Sequence, residues 1–228
     1  MVQYSKTASA GMPNLRAVSE TARRSSILGA AEKLFGHYGH AKTTIGDIAR
    51  EAGIGVGSVY LEFNSKDDIL AELATGVEER VLRAMRAAAR RGSFAERLTG
   101  ALEARVEAFF ELSEAGLHTC DLVFCPAAPV KAAYGRFQRE QLALVASLLE
   151  QGTRAGEFTV FDVQPTAELV QRAYASLSPP WLFEQDRREA LGAVRAMNEL
   201  LLNGLLARRR PQGPPGSAAT RRRRFGTR

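Results

Sequence analysis

The stretch EAGIGVGSVYLEFNSKDD, Glu51 to Asp68, decides how the first part of the chain folds. Its alternating glycines suggest a phosphate-binding loop, but the dinucleotide fingerprint needs a strand before the glycines and a glycine where Ser58 stands. The preceding segment instead places apolar residues on one face of a helix, at Ile45, Ile48, Ala49 and Ala52. A helix, a glycine-containing turn and a short helix predict a helix-turn-helix.

The boundaries of these two helices can be assigned from capping residues. Thr44 opens a capping box and Gly53 follows the last apolar residue, where a left-handed C′ residue is favoured. In the short helix, Val59 and Phe63 are four residues apart and should face inward. Gly57 has two possible roles: its missing Cβ either lets a phosphate or groove wall approach, or relieves crowding against the preceding helix.

The rest of the chain predicts further helices and no strand, so the fold class is all-α. Helices are expected from Thr21 to about Tyr38 and, later in the chain, over about 66–91, 94–114, 130–152, 165–177 and 186–207, with an irregular connector at 116–129. The longest apolar runs are too short to span a bilayer, and residues 1–20 contain no signal-peptide core. A cytoplasmic protein is therefore expected.

Charge is distributed unevenly along the 228 residues, whose net charge is +6. Residues 208–228 contain eight arginines and no acidic residue, whereas residues 25–207 carry a net charge of −5. A basic tail of this kind is typically solvated and disordered, although nonspecific DNA binding is an alternative. If the acidic body binds DNA, it must do so through a local surface.

The segment AAEKLFGHYGHAKTTIGDIAREAGIGVGSVYLEFNSKDDIL, Ala30 to Leu70, resembles the N-terminal domain of tetracycline-repressor (TetR) family regulators. The matching features begin with Leu34, Phe35 and Gly39, followed by TTI, IA and AG between residues 43 and 53. They continue with G-S-V-Y-x-x-F at residues 57–63 and SK at residues 65–66. The resemblance implies a helix-turn-helix domain (21–66) and a helical effector and dimerisation domain (67–207). Composition and charge add a flexible arm (1–20) and the disordered tail (208–228) to this all-α protein.

The same resemblance implies residues for DNA contact. Thr43 or Thr44 would bind a phosphate at the start of the second helix, and Tyr60 and Lys66 would hold the DNA backbone. The residues implied at the major groove are Gly55, Val56, Gly57, Ser58 and Leu61.

Two residues depart from the family pattern. Gly55 replaces the usual Ser or Thr cap. Glu62 occupies a position where histidine or an aromatic residue is common. Because a carboxylate beside phosphates is unfavourable, Glu62 is expected to point toward the protein or solvent.

The second domain is rich in aromatic residues, which favours an apolar small-molecule pocket. The candidate lining residues are Phe109, Phe110, His118, Phe124, Tyr134, Phe137, Tyr174 and Trp181. Arg136, Arg139 or Arg172 would be available to anchor an acidic group.

The last two predicted helices carry more apolar surface than one face can bury, which favours a four-helix dimer interface across a two-fold axis. The interface candidates are Leu169, Ala173, Leu177, Val194, Leu201 and Leu205. Burial of these residues in the chain's own core is the alternative.

No other motif indicates chemistry. Cys120, Cys125 and His118 match no established zinc spacing, so ordinary packing is preferred. No set of nucleophile, base and acid stands out, and neither a cofactor nor a metal is expected.

The sequence thus predicts a homodimeric, ligand-responsive transcriptional regulator, most simply a repressor released from a palindromic DNA operator by an apolar small molecule. The alternatives are a DNA-binding protein without an effector, or an enzyme built on the second domain.

Overall fold

The computed structural model describes residues 15–113 and 127–206, with side chains from Ser19 onward. Within these ranges the chain forms eight α-helices, which confirms the all-α prediction. They are α1 (Leu15–Tyr38), α2 (Ile45–Glu51), α3 (Val56–Tyr60), α4 (Lys66–Ala88), α5 (Phe94–Ser113), α6 (Ala128–Arg154), α7 (Val163–Ala173) and α8 (Arg187–Leu205).

Capping residues set the helix boundaries in the first domain as the sequence predicts. The hydroxyl of Thr44 accepts a hydrogen bond from the backbone N–H of Asp47, whose carboxylate accepts the N–H of Thr44 in return. Gly39 and Gly53, which follow α1 and α2, have φ of 80° and 69°. This left-handed conformation is readily adopted by glycine, so both residues can end a helix without strain.

Helix α1 begins at Leu15, six residues before the predicted start at Thr21. The side chains of residues 19–22, which precede the buried Ile27, are exposed, so no core contact marks this turn of the helix. Tertiary ion pairs hold this part of α1 instead: Arg23 pairs with Glu62, and Arg24 pairs with Glu72. Residues 1–14 of the predicted arm and residues 207–228, including the arginine tail, lie outside the described residues.

Helix α4 connects the two parts of the molecule. It packs against α1 at one end and against α5 and α6 along its length. The buried side chains of the helix-turn-helix and of the second domain form one continuous hydrophobic core around it. Its first residue, Lys66, donates hydrogen bonds from Nζ to the carbonyls of His40 (2.6 Å) and Thr43 (2.8 Å).

The second domain is organised around α5 and α6. Helix α7 packs on α6, and α8 packs on α5. The helix predicted over 165–177 is shorter than expected, since α7 ends at Ala173 and 3₁₀ turns follow at Ala175–Leu177 and Trp181–Glu184. The predicted connector at 116–129 falls mostly on residues 114–126, which are not described.

The segment EQGTRAGEF at the end of α6 joins it to the start of α5. Gly152 leaves room for the Phe158 ring, which would lie 2.3 Å from an added Cβ. The carboxylate of Glu157 accepts hydrogen bonds from the backbone N–H groups of Phe94 and Ala95, each at 2.8 Å. Glu157, which lies far along the chain from α5, therefore caps the start of this helix.

No helix of the described part of the chain is long and apolar enough to cross a membrane. The same residues contain no cluster of His, Cys, Asp and Glu suited to a metal ion. Cys120, Cys125 and His118 lie outside the described residues.

Candidate DNA interface and effector cavity

Helix α3 exposes an apolar face that no described part of the chain covers. Val56, Tyr60 and Leu61 are 45%, 55% and 76% exposed, whereas Val59 is fully buried beneath them. Gly55 is the N-cap residue in extended conformation and makes no side-chain cap bond. An exposed apolar helix face of this kind is typical of a surface that binds a partner.

The structure bears on one of the two roles considered for Gly57, relief of crowding. A Cβ added to Gly57 would meet no atom of the described residues within 4 Å. Crowding against the preceding helix therefore does not explain this glycine. The open space over Gly57 lies on the exposed side of α3.

The two neighbouring threonines have different positions. Thr43 is 2% exposed, and its hydroxyl donates to the Gly39 carbonyl at 2.9 Å. Thr44 is exposed, and its hydroxyl donates to the Asp47 carboxylate at 2.6 Å. Of the two, only Thr44 has a side chain at the surface where it can meet a phosphate.

Tyr60 and Lys66 also differ in their surroundings. The Tyr60 side chain is largely exposed on α3. The Lys66 ammonium is half-buried and donates to two carbonyls, as described above, which leaves one N–H of its three. The contacts of Lys66 in the free protein thus hold the turn between α1 and α2.

Glu62 points toward the protein, in agreement with the expectation from its charge. Its side chain is 4% exposed, and Oε1 accepts a hydrogen bond from Arg23 Nε at 2.8 Å. Arg24 donates to the Glu62 backbone carbonyl at 3.0 Å. The negative charge is therefore neutralised beneath α3 rather than presented on its exposed face.

Most aromatic residues predicted to line an apolar pocket belong to the core of the second domain. Phe109 and Phe137 are buried and meet edge to face, with ring centroids 6.0 Å apart. Phe110 and Tyr174 are also buried, and the Tyr174 hydroxyl donates to Asn198 Oδ1 at 2.6 Å. His118 and Phe124 lie outside the described residues, so the two predicted lining residues found at a cavity are Tyr134 and Trp181.

A cavity of about 380 Å³ opens between α5, α6, α7 and the following 3₁₀ turns. Leu142 and Ala175 are the only two of its eleven lining residues with purely aliphatic side chains. The others are Arg105, Tyr134, Gln138, Gln141, Glu168, Gln171, Arg172, Ser178 and Trp181. Four of the predicted aromatic residues thus fill the core, while amide and charged side chains share the lining of this cavity with Tyr134 and Trp181.

Arg105 is the buried cation of this cavity. Its side chain is 2% exposed and donates to Gln141 Oε1 (2.9 Å), the Leu177 carbonyl (2.9 Å) and Ser178 Oγ (2.6 Å). All three acceptors are neutral. Burial lowers the pKa of Arg105 to about 10, which still leaves the guanidinium protonated at neutral pH.

Arg105 was not among the arginines considered from the sequence. Of those three, Arg172 lines the cavity, whereas Arg136 and Arg139 are exposed on α6. The available signal was that Arg105 occupies a position on the apolar stripe of α5, between Ala101 and Phe109. A charged residue on a buried helix face requires a polar partner, and this signal would have identified it.

The predicted dimer residues divide into two groups. Leu177, Val194 and Leu205 are buried in the chain's own core, so they cannot form an intermolecular surface. Leu169 and Ala173 are exposed on α7, and Leu201 is partly exposed on α8. Helix α8 also exposes Leu200, at 69%, which the sequence analysis did not select. The sequence alone did not show which side of α8 meets α5, and this side decides which of its apolar residues are buried.

Residues 27–73 match the family model for "Bacterial regulatory proteins, tetR family". The chain is 52% identical over 48 residues to the HTH-type transcriptional regulator HbdR of Aromatoleum sp. (strain CIB), a match that spans 21% of this chain and 21% of HbdR. It is 26% identical over 170 residues to the uncharacterized HTH-type transcriptional regulator YhgD of Bacillus subtilis (strain 168), which covers 70% of this chain and 84% of YhgD.

The fold is also that of solved TetR-type regulators. The transcriptional regulator FadR from Bacillus subtilis, solved in complex with stearoyl-CoA, superposes with a TM-score of 0.64 at 18% identity, over 79% of this chain and 98% of FadR. The helix-turn-helix with its exposed α3 lies within the matched region 27–73, and the described fold as a whole is shared with these regulators. Residues 27–73 thus form a DNA-binding domain of the kind found in tetR-family regulators.

Proposed function

We propose that this protein is a homodimeric regulator that binds a near-palindromic operator through α3 and responds to a small molecule bound in the second domain. The observation that carries this proposal is the exposed face of α3, where Val56, Tyr60 and Leu61 are left uncovered beside the open space over Gly57. A short exposed helix fits the width of the major groove.

The DNA contacts are assigned by position on this face. Gly55, Val56, Gly57, Ser58 and Leu61 would face the bases, and Thr44 and Tyr60 would meet phosphates. The groove-facing set contains few hydrogen-bonding side chains, so base reading relies on apolar contact with thymine methyl groups from Val56 and Leu61. Lys66 acts by positioning the turn before α2 rather than through direct base contact.

The effector response is supported by the cavity and by the position of α4. Arg105 and Gln141 place the cavity on α5 and α6, and both helices pack against α4. Helix α4 in turn holds the helix-turn-helix through Lys66. A ligand that binds more tightly to a different arrangement of α4 would change the separation of the two α3 helices in a dimer. This difference in ligand affinity between the two arrangements is sufficient to release the operator. Repression relieved by the ligand is the simplest regulatory outcome.

The dimer interface is assigned to the uncovered faces of α7 and α8. Leu169 and Leu200 are 63% and 69% exposed, and small residues Ala173, Ala193 and Ala196 lie exposed on the same helices. Small residues permit close approach of helices, and two helices from each chain would form a four-helix interface. A two-fold axis would place two α3 helices in successive major grooves.

Selection from a pool of random double-stranded DNA tests the proposal. The full chain should enrich two inverted half-sites whose centres lie about one helical turn apart, roughly 10 base pairs. A Leu61→Asp variant should enrich no sequence while keeping its fold, since Leu61 is 76% exposed. Failure of the wild-type chain to enrich any sequence at low salt would refute the DNA-binding assignment.

A further inference from the structure

We propose that the cavity over Arg105 binds a small organic monocarboxylate, with the carboxylate placed on the Arg105 guanidinium and the remainder against Tyr134 and Trp181. This inference deepens the proposed effector site and rests on it. It replaces an apolar effector with an anionic one.

The first argument is the missing counter-ion. A buried charge is stable when it is paired, and a guanidinium is commonly paired with a carboxylate. Among residues 15–113 and 127–206, the groups bonded to Arg105 are an amide, a backbone carbonyl and a hydroxyl. Glu168 also lines the cavity but forms no ion pair with Arg105 in the described structure. An anion in the cavity would therefore supply the negative charge that the described residues do not bring to Arg105.

The second argument is the remaining hydrogen-bonding capacity. Of the five N–H groups of a guanidinium, three already donate to protein acceptors, which leaves one on Nη1 and one on Nη2. Two donors on neighbouring nitrogens suit the two oxygens of one carboxylate. The Gln141 and Ser178 contacts hold the guanidinium in place, so a ligand would meet a preorganised donor pair rather than a mobile side chain.

The third argument is the size and charge of the site. At about 380 Å³ the cavity is at the small end of the range for ligand pockets, about 300–1,000 Å³. Arg172 and Glu168 at the cavity carry opposite charges, so a monocarboxylate balances the remaining charge of Arg105, whereas a phosphate dianion would bring excess negative charge. The half-exposed Trp181 ring at the cavity offers an aromatic surface for the body of the ligand.

Matched pairs of acid and amide provide the direct test. Benzoate and 3-phenylpropionate would be compared with benzamide and 3-phenylpropanamide, with inorganic phosphate and chloride at equal ionic strength as further arms. Thermal melting and calorimetric titration of the full chain would report binding. We expect saturable binding of at least one acid, with its amide at least about tenfold weaker and phosphate and chloride without a specific effect.

Variants then assign the effect to Arg105. Arg105→Gln should abolish the preference for acid over amide, whereas Arg139→Gln, which removes an exposed arginine from the same domain, should keep it. Circular dichroism would check folding. If Arg105→Gln does not fold, Arg105→Lys keeps the charge but loses the paired donors, and should bind the acid more weakly than wild type while still preferring it.

The outcomes separate this inference from the proposed function. Equal binding of acid and amide, tighter binding of phosphate, or no binding of any acid would overturn the carboxylate assignment. None of these results would affect DNA selection by the ligand-free chain, which tests the regulator itself. An acid preference together with no DNA enrichment would instead leave the binding site standing and remove the proposed function.

Discussion

A side chain at position 57 would occupy the open space on the exposed side of α3, where the proposed DNA partner would lie. Other single positions in this protein have equally specific surroundings. Arg105 and Glu78 each place an ionisable group in the core, and each is bonded to no opposite charge in the described residues. A bound anion would supply the opposite charge that Arg105 lacks, and the ionisation of Glu78 would depend on pH.

Gly57→Ala should separate stability from DNA binding. Alanine is favoured over glycine inside a helix by about 0.5–1 kcal/mol, and the added Cβ meets no described atom, so the melting temperature should rise slightly. Operator affinity should fall by about tenfold or more, because overpacking costs about 1–3 kcal/mol. Gly29→Ala on α1, also free of neighbours within 4 Å, should stabilise the protein without this loss. Gel shifts and thermal melting together measure both effects, and unchanged affinity in Gly57→Ala would contradict the contact.

Glu78 should make folding stability depend on pH near neutrality. The carboxyl is 4% exposed and Oε1 has no described hydrogen-bond partner; burial raises the pKa of Glu78 to about 7, although Arg136 partly offsets the rise. The folded state binds the proton more tightly than the unfolded state, whose pKa is 4.5. Stability should therefore fall as pH rises from about 4.5 to 7, by up to about 3 kcal/mol.

Thermal melting between pH 5 and pH 8 measures this effect. The wild-type melting temperature should decrease across the range relative to Glu78→Gln, which cannot ionise. Glu79→Gln removes an exposed neighbouring carboxylate and should follow the wild-type curve, since the Glu79 side chain is 62% exposed. Parallel curves for wild type and Glu78→Gln would refute a neutral buried Glu78.

At the scale of elements, α4 is the helix on which both domains depend. Its N-cap residue, Ser65, accepts a hydrogen bond from the Asp68 N–H at 3.1 Å. Its first residue fixes two carbonyls of the α1–α2 turn, and its later turns meet α5 and α6. A shift of α4 therefore reaches the start of α2 through two hydrogen bonds rather than through a flexible linker.

Lys66→Met tests whether this residue positions α2 or binds phosphate. Loss of the two hydrogen bonds leaves the carbonyls of His40 and Thr43 without the ammonium, which should cost about 1–3 kcal/mol of folding stability. Operator affinity should fall at every salt concentration. If Lys66 acts only by holding the turn between α1 and α2, the slope of log affinity against log salt concentration should match that of the wild type. A slope about one unit shallower would instead show a direct phosphate contact.

At the scale of the whole molecule, α7 and α8 leave apolar surface uncovered on the side away from α5 and α6. Leu169 and Leu200 are the exposed leucines of these helices. The buried residues Val194 and Leu205 hold α8 on its own chain instead. The proposed dimer therefore depends on residues that alternate with core residues along the same helix.

Leu200→Asp should convert the proposed dimer to a monomer with little loss of secondary structure. A charge placed in an apolar interface costs several kcal/mol, but Leu200 contributes little to the core of its own chain because it is 69% exposed. Light scattering measures the mass, and circular dichroism the fold. Leu61→Asp introduces the same change at the DNA face and should remain dimeric. A monomeric wild-type protein would eliminate the interface altogether.

The sequence by itself determined the helix-turn-helix, because its signals are local. Thr44, Gly53 and Gly39 act on backbone within a few residues, so capping and left-handed turns can be predicted without knowing the fold. The same holds for Val59, which faces inward through helical periodicity alone. Helical periodicity, which is also a local pattern, likewise predicted the all-α fold class.

Only the tertiary structure decided the second domain, because burial there depends on which helix faces meet. Helical periodicity shows that α5 has an apolar stripe, but not that Arg105 on that stripe would meet Gln141 and Ser178 from distant parts of the chain. Likewise the aromatic content predicted a pocket, yet packing placed Phe109 in the core. Long-range contacts cannot be read from local patterns, and they determined both the chemistry of the cavity and the residues left for a dimer.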